Sequence, residues 1–228
     1  MRHIGSMVQK AAFAFGIGFI ALSVAIGPFG TTPASAQTII DDWQKVKPPA
    51  APELKPVTVD PKTTALLILD FNGAQNPAKG PCNKNTKPRC LASVPKVKTL
   101  LDEARSKDVL VVYSLAGAGE PQDIATDLAP LASDPIVKSG PDKFIGTNLR
   151  NILADKGIKT VIVTGTASEG AVLDTATDAA LNGMNIILPV DGMSSTELYG
   201  EQYVAWHMVN APGVSQKTTL TKIDMIKF

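Results

Sequence analysis

The stretch TVIVTGTASEGAVLDTATDAALNGMNIILPV, residues 160–190, decides the fold. It opens on Thr160 to Thr164, an apolar run of strand length with β-branched residues throughout. A helix follows over Ser168 to Asn182, with Ser168 placed to cap its start and Gly183 to end it. Asn185 to Val190 is the next strand. Two short apolar runs joined through a helix read as a βαβ unit, the connection that makes neighbouring strands parallel.

The alternation continues in both directions. Upstream, Ala65 to Leu69 is a continuous apolar run, as expected of a strand covered on both faces. Val94 to Lys107 carries Val94, Val97, Leu100, Leu101 and Ala104 at helical spacing, and Val109 to Tyr113 is another buried strand. Thr147 to Lys156 reads as a helix closed by Gly157. Downstream, Thr196 to Val209 is a helix and Thr218 to Ile226 a last strand. The expected fold is α/β: a three-layer αβα sandwich around a doubly wound, mostly parallel, six-stranded sheet. Such sheets place their site beyond the carboxyl ends of the strands.

The 228 residues, 44% of them hydrophobic, suit one domain with a full core. The net charge of +1, from 22 basic and 21 acidic residues, gives no basic excess for nucleic acid. Aromatics make up 5% of the chain, too few for a base-stacking platform. The expected partner is a small-molecule substrate, with no nucleic acid involved, and the chain is expected to form a homo-oligomer.

The first 36 residues read as a signal peptide. Arg2 and Lys10 are its positive end, Ala11 to Ile26 its apolar run, and Ala34-Ser35-Ala36 its cleavage signal before Gln37; Met7 is an alternative start. The rival reading is a retained membrane anchor, but the run is short for a span of about 20 residues. The expected location is periplasmic or secreted, with no membrane contact after cleavage. Residues 37–62, with Pro48, Pro49, Pro52, Pro56 and Pro61, read as an extended arm, and residues 63–228 as the α/β domain.

Export bears on the two cysteines. Cys82 and Cys90 lie in the polar loop PCNKNTKPRC, and an even count in an oxidising compartment reads as a disulfide. A reactive thiol or half a metal site is the alternative. Only His207 lies downstream of the leader, so a zinc site lacks ligands, and no metal is expected.

Polar residues follow three of the strands. Asp70 ends the first, in LLILDFNGAQ; Gly165 to Ala171 follow the third; Asp191 to Ser195 follow the fourth. A carboxylate directly after five apolar residues sits at the core's rim, where burial raises its pKa and a cation lowers it. Alternatively, Asp70 only caps its loop.

These segments together resemble the isochorismatase-like (cysteine hydrolase) family. LLILD resembles the family's first-strand motif, whose Asp is catalytic. PIVKSGPDKFIGTNL, residues 135–149, resembles the segment running catalytic Lys, five residues, Phe, then a turn into a helix. Counting back from Phe144 assigns that Lys to Lys138 rather than Lys143. GTASEGAVLDTATDAALNG resembles the stretch in which Gly is followed six residues on by the nucleophilic Cys, and VDGMSS the segment after the next strand. Gly165 plus six is Ala171, so the resemblance implies a member without the nucleophile.

Without that thiol, the thioester route of amidase members is closed. The isochorismatases proper also lack the Cys; there the Asp acts as general acid toward a vinyl ether and the Lys supports it. The resemblance therefore implies catalytic Asp70 and Lys138, with Ala171 at the position of the family Cys. The amides of Ser168 to Ala171 open a helix and suit a carboxylate or an oxyanion, so Thr166, Ala167, Ser168 and Gly170 are the expected substrate cradle; the resemblance further implies a cis Thr166–Ala167 peptide. It implies no cofactor: the Asp-x-His metal motif of family nicotinamidases is absent. Two other readings stand beside hydrolysis: an inactive exported homologue that binds a small ligand, and an amidase using Ser168.

Overall fold

The computed structural model describes residues 38–228. Residues 1–37, to which the expected signal peptide and the first residue of the arm belong, lie outside the described residues. The chain divides into two units, one ending at Lys47 and one spanning Pro48–Phe228. In the first, Ile39–Asp42 forms a short helix, α1, in which the Asp41 carboxylate accepts from both the backbone N–H and the hydroxyl of Thr38.

The second unit holds the strands β1 (Val57–Thr58), β2 (Thr64–Leu69), β3 (Leu110–Leu115), β4 (Ile136–Lys138), β5 (Thr160–Thr166), β6 (Asn185–Pro189), β7 (Met193–Ser194), β8 (Thr218–Thr221) and β9 (Ile226–Lys227). Its helices are α2 (Pro88–Ser106), α3 (Leu149–Asp155), α4 (Leu173–Leu181) and α5 (Leu198–Asn210). The main sheet runs β4-β3-β2-β5-β6-β8, all parallel, and β7 adds to the end of β5. The sheet therefore has seven strands rather than the expected six. The supposed last strand is also interrupted: it breaks after Thr221 into a 3₁₀ turn, and Ile226–Lys227 pairs separately with Val57–Thr58.

Alternation of side chains along each strand explains the apolar runs. Ala65, Leu67 and Leu69 point into one core layer, whereas Leu66 and Ile68 point into the other. The same split separates Val161 and Val163 from Ile162. The first layer packs under α3, α4 and α5 through Leu149, Leu173, Ala176, Val204 and Met208. The second packs under α2 through Val94, Val97, Leu100, Leu101 and Ala104. Part of the arm belongs to this unit: the Lys55 N–H donates to the Leu220 carbonyl, and Leu54 packs against the first core layer.

Strand order fixes where a site can form. From β2 the chain moves outward to β3 and β4, then returns to β5 on β2's other side. The order reverses between β2 and β5, so their carboxyl ends frame the crevice of a doubly wound sheet. Gly165, the second-last residue of β5, makes the approach possible: a Cβ there would lie 2.5 Å from the Leu69 carbonyl oxygen.

Candidate active site

Asp70 follows β2 directly with φ +58°, a left-handed conformation that Asp tolerates better than most residues. Its backbone N–H bonds Ser114 near the end of β3, and Ser114 Oγ donates to Asp70 Oδ1 at 2.6 Å. The other carboxylate oxygen meets Lys143 Nζ at 2.7 Å. The side chains of this pair are only 6% and 1% exposed, Asp70 and Lys143 respectively. Burial pushes the Asp70 carboxyl above its ordinary range, against the lowering effects of the Lys143 charge and of hydrogen bonds from Lys143 and Ser114.

The lysine beside Asp70 is thus not the one that spacing assigned. Lys138 ends the edge strand β4 with its side chain 48% exposed, and its ammonium bonds the Gly119 carbonyl and Glu120. Beyond it, the loop SGPDKFIG folds Lys143 inward. The Lys143 N–H donates to Thr175 Oγ1 on α4, its ammonium caps the Gly140 carbonyl, and the neighbouring Phe144 ring is buried in the core. Core burial of Phe144 anchors the loop, and backbone bonds then direct Lys143, rather than Lys138, at Asp70. Neither Lys143, Ser114 nor Thr175 carried a role in the sequence reading; the signal was present only as a second lysine next to Phe144 and a hydroxyl near a strand end.

After β5 the Thr166–Ala167 peptide is cis, and Thr166 Oγ1 donates to the Ser194 carbonyl. Ser168–Val172 forms one π-helical turn that leads into α4. This corrects the expected cap: Ala167 occupies the N-cap position, and Ser168 lies inside the first turn. Its hydroxyl is buried with no protein partner, and so is that of Ser194. The Ala167 carbonyl accepts from the N–H groups of Gly170 and Val172, so the Gly170 amide is used by the turn. Ala171 is buried on the core side of the same turn. Cys82 and Cys90 are joined by a disulfide with Cα atoms 5.3 Å apart, within bridging range.

Among the described residues, no group of three or more His, Cys, Asp or Glu side chains is arranged to hold a metal. No described helix is long and apolar enough to cross a membrane. His207 lies on α5 beside Tyr203, with its Nδ1 3.4 Å from the tyrosine hydroxyl. The site is therefore a buried carboxyl–ammonium pair steadied by hydroxyls, able to hold or deliver a proton at Asp70.

The isochorismatase domain model matches residues 64–219. A secreted isochorismatase effector of Verticillium dahliae is 26% identical over 156 residues, which cover 64% of this chain and 80% of that protein. An isochorismatase family protein from Desulfovibrio vulgaris superposes with a TM-score of 0.62 at 19% identity, covering 71% of this chain and 95% of that one. The nicotinamidase of Staphylococcus aureus gives a TM-score of 0.59 at 17% identity, over 71% and 99% of the two chains.

Proposed function

We propose, for a chain that belongs to the isochorismatase family, hydrolysis of a small carboxylate-bearing enol ether by general acid catalysis at Asp70. The observation that carries this reading is the buried Asp70–Lys143 pair at the point where the strand order reverses. Burial holds the Asp70 proton to higher pH than an exposed carboxyl would. In the proposed reaction Asp70 protonates the enol-ether carbon and becomes a carboxylate. Water adds to the resulting oxocarbenium carbon, and the hemiketal collapses to a carbonyl compound and an alcohol. The proton lost by the adding water returns to Asp70, so no protein nucleophile is consumed. Lys143 supports the carboxylate formed midway. Ala171, placed where relatives are expected to carry their Cys, is compatible because no thioester forms.

Thr166, Ala167 and Ser168 are the proposed cradle, with the unpartnered Ser168 hydroxyl able to meet a polar substrate atom. Amide hydrolysis through Ser168 is disfavoured: its hydroxyl touches no protein base. The proposed setting is outside the cytoplasm, supported by the disulfide and by the secreted relative.

A second reading has one observation in its favour. A pair this enclosed has little room for a substrate unless the loop carrying Lys143 moves, and a non-catalytic exported binder needs no such motion. The test is a panel of enol ethers, esters and amides followed by product analysis, with calorimetry for binding in parallel. Turnover of an enol ether supports the enzyme. Tight binding of a small acid with no turnover across the panel rejects it in favour of the binder.

A further inference from the structure

Two helices begin without a capping side chain, and one ion pair joins their first turns. The N-cap of α2 is Lys87 and that of α5 is Glu197, and neither side chain bonds a free N–H of its helix. Ser, Thr, Asp and Asn are the residues that usually satisfy those groups. Arg89, in the first turn of α2, grips Glu201, in the first turn of α5, through Nε and Nη2 at 2.7 and 2.6 Å. Such a two-pronged pair fixes direction as well as distance. The next residue, Cys90, ties the same turn of α2 to Cys82 in the loop that follows Asp70.

The connection continues into the candidate site. Glu201 Oε1 also accepts from the Ser195 N–H at 3.0 Å, and the Ser195 hydroxyl donates to Glu169. Glu169 follows Ser168 in the π-helical turn after the cis peptide. Ser195 is fully buried, which shields its bonds from water. The fit is close: a Cβ on Gly200 would lie 2.7 Å from Ser195 Oγ and 3.0 Å from Glu169 Oε2, which accounts for a glycine inside α5 despite its cost to a helix. The turn also abuts the loop carrying Lys143, since a Cβ on Gly170 would lie 3.9 Å from Pro141 Cβ.

We propose that Arg89, Glu201, Ser195 and Glu169 are positioning residues, which hold the π-helical turn in register with α2 and α5. The proposal rests on the cradle assigned to Thr166, Ala167 and Ser168, and none of the four residues needs to touch substrate. The turn requires outside support. Its N-cap, Ala167, has no polar side chain, and the Ala167 carbonyl is shared by the N–H groups of Gly170 and Val172. Glu169 supplies the missing side-chain bond, and Arg89 anchors its far end. A misplacement of about 1 Å transmitted to a site can cost about a hundredfold in rate.

The test is hydrogen exchange of the purified full chain, with kinetics in parallel. Arg89→Met should speed exchange of the Gly170 and Val172 amides by about tenfold or more, although Arg89 bonds neither residue. Glu169→Ala should do the same, whereas Glu169→Gln, whose amide oxygen still accepts from Ser195, should exchange like the wild type. On the best enol ether, kcat/KM should fall about tenfold in Arg89→Met and in Glu169→Ala. The double variant should lose about tenfold rather than about a hundredfold, because both changes break one chain of contacts. An unchanged near-ultraviolet circular dichroism spectrum checks the fold; should Arg89→Met fail to fold, the Glu169→Ala and Glu169→Gln comparison decides. Exchange untouched by a folded Arg89→Met, equal exchange in the two Glu169 variants, or faster exchange with undiminished kcat/KM each overturns the proposal. A wild type with no turnover of any enol ether rejects the enol-ether reading, and the exchange comparison then decides the positioning role by itself.

Discussion

Lys143 Nζ lies 2.7 Å from Asp70 Oδ2, and the two side chains share almost no surface with solvent. Breaking a buried ion pair by removing one partner costs about 3–5 kcal/mol, because the other charge is left unpaired. At pH 8, Lys143→Met should therefore lower stability in urea by that order. Combining it with Asp70→Asn should recover much of the loss. Lys138→Met, at a half-exposed surface pair, should change stability by less than about 1 kcal/mol. Equal effects of the two lysine substitutions would contradict the assignment of Lys143 to Asp70.

The central strands were legible because burial on both faces writes itself as continuous apolar runs: Ala65–Leu69 and Thr160–Thr164 lie within β2 and β5. Asp70 was legible for the same reason, as the charge that ends such a run. Five of the sheet's seven strands have a segment legible in the sequence; β4 and β7, three and two residues long, are too short for any period. Pro88 opens α2 and Pro95 lies inside it, which hid the helix's first turns. The lysine was misplaced because spacing counts residues along a chain and not the path of a loop. The burial of Phe144 and the bond from Lys143 N–H to Thr175 are tertiary facts with no local signature.

The Cys82–Cys90 bridge closes a short loop at the start of α2. In the chain-entropy picture such a loop contributes about 2–3 kcal/mol. Urea unfolding with and without a reductant should show that difference. Thiol titration of the unreduced, denatured protein should find no free thiol; two free thiols would remove the bridge from the account.

Export is tested at the N-terminus. Protein recovered from its native host should begin at or near Gln37, and N-terminal sequencing reads this directly. Recovery of a chain that retains residues 11–26 would reject the signal-peptide reading.

The raised Asp70 carboxyl gives a sign to the pH dependence. An acid catalyst works in its protonated form, so the rate should be highest below the Asp70 pKa and fall about tenfold per pH unit above it. The midpoint should lie above the ordinary Asp value of about 3.9. Carbon-13 titration of the Asp70 carboxyl should give the same midpoint, and Ser114→Ala should move it upward by removing a hydrogen bond to the carboxylate. A rate that rises through that midpoint would instead require the carboxylate as a base.

The most direct test of the account is the turnover rate on the best enol ether from the panel, measured in three variants beside the wild type. Asp70→Asn keeps the shape but has no carboxyl proton to give, and should lower the rate by about 10²–10⁴-fold. Lys143→Ala should lower it as well, and Lys138→Ala should leave it near the wild-type value. Undiminished turnover in Asp70→Asn, or loss of activity in Lys138→Ala with Lys143→Ala unaffected, would contradict the mechanism built on the Asp70–Lys143 pair.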